Sequence, residues 1–377
     1  MKKSSVIAIS LAGAFSVPAF AQNSVTLYGI IDAGITYTNN AGGHSLWQAQ
    51  SGIAQGSRWG LKGTEELGGG TNIIFQLESG FNAFNGALGQ GGLLFGRQAY
   101  VGVTNATWGT LTLGRQYDPI VDIVQPTTFN GQWGALYSHP SDIDNTDNGF
   151  RVNNAVKYVT PTLMGFSAEA MYAFGGVAGS FGQKSTIAAG ASYSNGPLYV
   201  GAAYFYAKNP ATQFQDGNFQ PNGIPGVSNG EGAFGYVGSP SNMQVIGAGV
   251  TYTIGQGQVG LNYTNTRFDD ASGVAGNTVT FDNYEIWGQY HLTTAVTLGG
   301  GYTFTEGKVD YNGARPKYNQ FNLVADYLLS KRTDVYLTGV YQRSSGGANA
   351  AIYQGLAGAE SSTTSQVLAR IGIRHKF

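Results

Sequence analysis

The 377-residue chain has no cysteine, few charges and no long apolar run. Without cysteine there is neither a disulfide scaffold nor thiol chemistry. Charged residues make up 11% of the sequence, against about 25% in an average soluble domain. With 20 basic and 21 acidic side chains there is no basic excess of the kind that grips nucleic acid, and 42% hydrophobic content excludes a disordered tail protein. No run of about 18 or more apolar residues could cross a bilayer as a helix, so any membrane role has to be reached another way. What is abundant is glycine, 58 residues or about 15% of the chain, roughly twice the usual level.

Residues 1–21 read as a secretory signal peptide. Lys2 and Lys3 form a basic start, an apolar stretch runs from Val6 to Val17, and Ala19, Phe20 and Ala21 make a small-x-small cleavage site. Cutting after Ala21 removes two lysines, leaving 18 basic against 21 acidic residues and a net charge of −3. The remaining segment, 22–377, reads as one domain.

From Gln22 onward two-residue alternation recurs and no helical period is convincing. In the last segment Val367, Ala369, Ile371, Ile373, His375 and Phe377 share one face, and Leu368, Arg370, Gly372, Arg374 and Lys376 the other. In the first, Val25, Leu27, Ile31 and Ile35 oppose Thr26, Tyr28, Asp32 and Thr36. Such segments start near residues 25, 54, 71, 95, 109, 151, 165, 185, 198, 243, 257, 281, 295, 316, 332 and 364, which predicts sixteen strands. Tight turns near 67–70, 105–108, 161–164, 195–197, 255–256, 293–294 and 330–331 alternate with long polar connections. These cover 38–53, 83–94, 117–149, 175–184, 209–242, 268–280, 307–315 and 345–363.

Strands in lipid need every backbone polar group paired, which only a closed barrel achieves. Short turns on one side and long loops on the other are the pattern of an outer-membrane barrel, with the turns periplasmic and the loops outside. A soluble β-sandwich is the alternative, with shorter strands and fewer, larger core side chains. The fold expected is therefore all-β, a 16-stranded antiparallel transmembrane barrel. Tyr37, Trp59, Phe81, Tyr100, Tyr158, Tyr172, Tyr263 and Tyr341, near segment ends, fit aromatic girdles. Gly60 and Gly372 read as small lumen-facing residues that keep a channel open.

Several stretches resemble the general trimeric porins of Gram-negative bacteria, of the betaproteobacterial type. They are VTLYGIIDAG at 25–34, SRWGLKGTEELGGG at 57–70, FGRQAYVGV at 95–103, GTLTLGRQYDP at 109–119, NNAVKYVTPTLMGF at 153–166 and the terminal RIGIRHKF. The resemblance implies a homotrimer and a third loop folded into the barrel opposite a basic wall. It also implies a terminal Phe377 read by the barrel-assembly machinery, and outer-membrane lipid and lipopolysaccharide as surroundings. No cofactor is implied.

A sixteen-stranded barrel leaves an aqueous channel. The loop 117–149 is long enough to narrow it, while 209–242, rich in Pro and Gly, reads as an external surface loop. Arg58, Arg97, Arg115 and Arg151 match the family's basic cluster, with Glu78 on a neighbouring strand. Alternation places Arg58, Lys62, Glu78, Arg151 and Lys157 in the lumen. Arg97 and Arg115 share faces with apolar residues and need a bulge to turn inward, which Gly96 and Gly114 permit. Asp118 and Asp122 are the acidic candidates of the loop; Asp142, Asp144 and Asp147 read as solvated turn residues. Such a waist passes ions and small hydrophilic solutes passively, with the sign of selectivity undecided between the arginines and the loop aspartates.

The other readings have less in their favour. The four histidines, His44, His139, His291 and His375, cannot be grouped with a serine and an acid by spacing, which argues against a barrel enzyme. The glycines from 86 to 92 lack the strand-to-helix context of a phosphate loop, and the scattered acids form no metal constellation. Trp47, Trp133 and Tyr137 are too few for the aromatic track of a sugar-specific channel. An adhesin on the same barrel is the remaining alternative.

Overall fold

The computed structural model describes residues 24–217, 232–353 and 360–377. The leader expected over 1–21 lies outside them. The strands are β1 (Ser24–Ala41), β2 (His44–Ser51), β3 (Arg58–Gly68), β4 (Thr71–Gly80), β5 (Gln98–Asn105), β6 (Gly109–Gln116), β7 (Val152–Val159), β8 (Phe166–Ala173) and β9 (Thr186–Asn195). They continue with β10 (Leu198–Lys208), β11 (Asn242–Ile254), β12 (Gly257–Asp269), β13 (Thr278–His291), β14 (Val296–Val309), β15 (Lys317–Leu328), β16 (Thr333–Ser345) and β17 (Ser365–Lys376). From β3 onward each pairs antiparallel with the next, and β17 returns to β1, from Ile30 opposite Lys376 to Thr38 opposite Leu368. The sheet is closed and has no edge.

The other edge of β1 is shared. Ser24 to Ile30 face β3, and Ala33 to Ala41 face β2, so β2 and β3 are one wall strand interrupted by residues 52–57. The barrel therefore has sixteen staves, and their starts fall within a few residues of those read from alternation. The region 38–53, expected as a loop, is mostly a hairpin. Gly42 and Gly43, at φ 62° and 98°, reverse the chain, and Tyr37 packs on Trp47 with ring centroids 4.8 Å apart. The alternation of β2 is too short to stand out beside its polar neighbours.

Outward positions carry the exposed apolar side chains, among them Leu27, Ile35, Ile286, Leu323 and Ile371, while Asp32, Thr36 and Arg370 point inward and are buried. Lipid on one side and a polar lumen on the other account for this split. Two outward aromatic rows follow the sheet. Tyr263, Tyr284 and Phe304 lie 5.1 and 6.2 Å apart, and Tyr302, Phe321 and Tyr341 lie 4.9 and 6.3 Å apart. Tyr100, expected in a girdle, instead turns inward, where its hydroxyl donates to Gln76 at 3.0 Å.

The strand glycines serve mainly as seats for neighbouring rings. A Cβ on Gly60 would lie 2.7 Å from the Tyr28 hydroxyl, and one on Gly372 2.3 Å from that of Tyr336. They make room for a ring rather than for water. Gly260 seats Trp287, whose Nε1 donates to the Thr127 carbonyl at 2.7 Å and so ties a loop to the wall. Replacing Gly260 with Ala should cost about 1–3 kcal/mol of stability through overpacking. The check is the denaturant midpoint of the folded barrel in detergent; an unchanged midpoint would contradict the seat.

Candidate functional site

Residues 117–149 fold into the barrel because they are apolar on the side that meets the wall. Ile120, Val124 and Ile143 join a buried cluster with Phe150, Met171 and Phe205. Phe129, Leu136 and Tyr137 join a second with Trp287, Val324 and Leu368. A short helix, Phe129–Trp133, is capped by Thr128, whose hydroxyl accepts from the Gly131 amide at 3.1 Å. Polar bonds fix the register on the wall. The Phe129 amide donates to Glu285 at 2.8 Å, Tyr199 to the Ile123 carbonyl at 2.9 Å and Tyr137 to the Leu323 carbonyl at 2.8 Å.

The loop thus packs on the inner face from β7, where Val152 and Ala155 join its cluster, round to β17, and leaves the side of β3 to β6 and the start of β1 uncovered. On that side Glu78, at the top of β4, is a hub. Arg97 Nε donates to Glu78 Oε1 at 2.7 Å and Arg58 Nε lies 3.5 Å from Oε2. The hydroxyls of Tyr28 and Tyr117 donate to the same carboxylate at 2.8 and 3.0 Å. The Tyr117 ring has the guanidinium of Arg97 5.9 Å from its centre and that of Arg151 5.8 Å. Lys62 is exposed above the Tyr28 ring at 5.5 Å. Arg151 forms no ion pair among the described residues. Burial and the nearby Arg97 pull its pKa down to about 10, so it stays charged at neutral pH.

Arg97, just ahead of β5, reaches this cluster directly. Arg115 needs the bulge: pairing slips between Gly114 and Gln116, Gly114 sits at φ 139°, and Arg115 is buried. It bonds the Gly96 carbonyl at 2.8 Å, Asn153 at 2.7 Å and Asp216. Lys157 pairs with Asp122 at 2.5 Å and donates to the Tyr117 carbonyl at 3.0 Å. Phe377 faces outward, its ring over Gly29 and its backbone exchanging two hydrogen bonds with Gly29 at 3.0 and 3.1 Å.

Four placements differ from those read in the sequence. Asp118, expected at the waist, is wholly buried, capping the Ile120 amide and accepting from Asn145. It holds the loop's shape and does not face the channel. Asp142 and Asp144 are buried as well, because the loop segment carrying them docks on β12 and β13. Asp142 accepts from the amides of Asp147 and Gly149, and Asp144 from Thr264 and Asn283. His139 lies between Asp144, at 2.5 Å, and Glu285, at 3.7 Å, with no exposed surface, so it is a latch inside the packing. Finally, the start of 209–242 tucks inward, with Phe214 stacked on Phe150 at 4.1 Å and Asp216 on Arg115. Residues 218–231 of that loop lie outside the described residues.

Sequence reading missed Tyr28, Tyr117, Glu169 and Asp216. Glu169 on β8 is buried beside Asp122 and Lys157; its even-odd match with Lys157 carried the signal. Tyr28 and Tyr117 read as ordinary aromatics.

The family model for Gram-negative porins matches residues 7–347. Over the full length of both chains, the sequence is 32% identical to an outer membrane porin protein of Bordetella pertussis and 28% identical to outer membrane porin protein 32 of Delftia acidovorans. Among solved structures, an anion-selective porin from Comamonas acidovorans superposes with a TM-score of 0.75 at 24% identity, covering 94% of this chain and all of that one.

The docking of the loop depends on protonation. Burial lifts Asp118 to about 6 despite its Ile120 and Asn145 bonds. For His139, burial acts downward, but Asp144 and Glu285 raise it overall. Both groups hold their protons more tightly when docked. Their contribution is complete below the unfolded pKa and is lost as pH rises, through about 6 for Asp118 and through a value above 6.5 for His139. Asp144, lowered against its own burial by His139, Thr264 and Thr146, loses its contribution only as pH falls below its ordinary range. Intrinsic-rate-corrected hydrogen exchange over residues 117–149 should therefore show stronger protection at pH 5.5 than at pH 9. Equal or greater protection at pH 9 would contradict the latch.

Proposed function

The chain belongs to the Gram-negative porin family, a multi-pass channel of the outer membrane, and we propose that its waist selects by charge as well as by size, favouring anions. The channel serves passive diffusion of ions and small hydrophilic solutes. The observation that carries the charge reading is the imbalance on the uncovered wall. Arg97 is neutralised by Glu78, Arg115 by Asp216 and Lys157 by Asp122, while Arg58 only shares Glu78 and neither Arg151 nor Lys62 has an acid of its own among the described residues. The charged wall facing the loop across a narrow gap orders water and disfavours apolar solutes, which must displace it.

A homotrimer fits the wall. Strands β5 to β8 have 8 residues each, against 12 to 14 in β11 to β17. At about 3.3 Å per residue and the usual tilt, strands that short fall below the roughly 25 Å apolar band of such barrels. Covering by neighbouring subunits would relieve that mismatch. The outward Phe377 at the closing strand supports recognition by the barrel-assembly machinery, and the aromatic rows support immersion in lipid and lipopolysaccharide. Residues 1–21 would be the export signal, cut after Ala21. An enzymatic role gains no support, since His139 is sealed from solute.

Replacing Arg151 or Arg58 with Ser tests the wall. One charge about 6 Å from a passing ion in a water-like dielectric is worth about 0.7 kcal/mol, favourable for chloride and unfavourable for potassium, and so about tenfold in their permeability ratio. The reversal potential of single channels in a KCl gradient should move towards cations by that amount. An unmoved potential would contradict the assignment.

A further inference from the structure

The interruption between β2 and β3 is not a simple break. Residues 52–57 fold into the lumen and hang from Asp32, the inward residue of β1 that they leave without a strand partner on that edge. One carboxylate oxygen of Asp32 accepts from the amides of Ala54 and Gln55 at 2.6 and 2.9 Å. The other accepts from the Tyr336 hydroxyl at 2.5 Å and lies 3.5 Å from Arg370. Arg370 is in turn bonded to Tyr336, Thr36 and the Gln50 carbonyl at 2.9, 2.9 and 3.0 Å. The backbone of Asp32 also holds Ser57 and Gly52. Asp32 and Arg370 are wholly buried, so this is an internal anchor.

The anchored turn touches both sides of the waist. Its Ile53 carbonyl accepts from the Ala135 amide of the constriction loop at 2.9 Å, and Gly134 approaches Ala54 so closely that a Cβ would lie 2.0 Å from the Ala54 oxygen. On the other side its Gly56 carbonyl accepts from Arg58 at 3.0 Å. Gly56 also lies against Arg97, where a Cβ would come within 2.9 Å of Nη1. One short segment therefore props the loop and seats two of the basic side chains.

We propose that the 52–57 turn, hung from Asp32, is a second constriction element that determines specificity by positioning Arg58 and Arg97. Asp32 is a positioning residue in this arrangement, acting through the turn. The inference rests on the basic wall setting ion preference.

Reversal potential does not depend on how many channels insert, so a merely structural role would not move it. Gly56→Ala changes no charge and meets only the flexible end of Arg97. The methyl should drive that guanidinium off Glu78, leave the acid facing the lumen and lower the chloride-to-potassium permeability ratio. Asp32→Asn removes a negative charge, which by charge alone would raise the ratio; release of the turn should lower it instead. A Gly56→Ala channel with the wild-type ratio overturns the proposal, as does a raised ratio for Asp32→Asn. Should Asp32→Asn fail to assemble, the Gly56→Ala channel decides alone. Arg151→Ser measured alongside separates the two readings. If it shifts the potential while Gly56→Ala does not, only the turn's role fails; if it does not, the wall reading itself fails.

Discussion

Lipid accepts no unpaired backbone, and a sheet that closes with sixteen strands is too wide to fill its own interior. The polar, open lumen that results can become a selective channel only if some of the chain folds back inside. Here that packing is done by residues 117–149, which present apolar side chains to a wall whose inward positions are elsewhere polar. Phe129 against Trp287, and Phe150 against Phe205 and Phe214, form an inner core in a molecule whose lipid-facing side contributes none. Burial of these side chains, each worth roughly 1.5–3 kcal/mol when complete, holds the loop in place. The polar latches at Glu285, Thr127 and His139 set where it sits.

The position of the loop decides which wall remains wet. Because its packing covers β7 to β17, solutes meet β3 to β6 and the start of β1, and the charges there are organised by hydrogen bonds more than by proximity. Glu78 collects two arginines and two tyrosines, and Tyr117 places two guanidiniums near one ring. Fixed in this way, the side chains need not reorganise as an ion passes, and their field acts in a confined space where it is screened less than on an open surface. The inward turn at 52–57 gives the same wall a backbone support.

Much of the frame could be read from residues alone, because alternation in lipid is enforced strand by strand and short turns alternate with long loops. Arg58, Lys62, Glu78 and Lys157 follow from parity. Arg115 does not, since its inward turn depends on a bulge beside Gly114. Asp118 and Asp144 carry no sign in the sequence that they would be buried, because solvation is decided by whether a loop docks, and docking is a long-range event. The same holds for Asp216, whose loop looks external until Phe214 is seen stacked on Phe150. The 52–57 turn was hidden for a different reason: with β2 reading as part of a long polar connection, the turn fell where that connection met the strand starting near 54, and nothing marked it as an interruption of one wall strand.

The central claim is that an uncompensated basic wall sets ion preference at the waist. Its most direct test is the chloride-to-potassium permeability ratio of the wild-type channel in planar bilayers, measured across salt concentrations. With the charges fixed and the screening length falling from about 30 Å at 0.01 M to about 3 Å at 1 M, the ratio should exceed unity at low salt and decline steadily towards it. A ratio below unity, or one above unity that does not change with salt, would contradict the account.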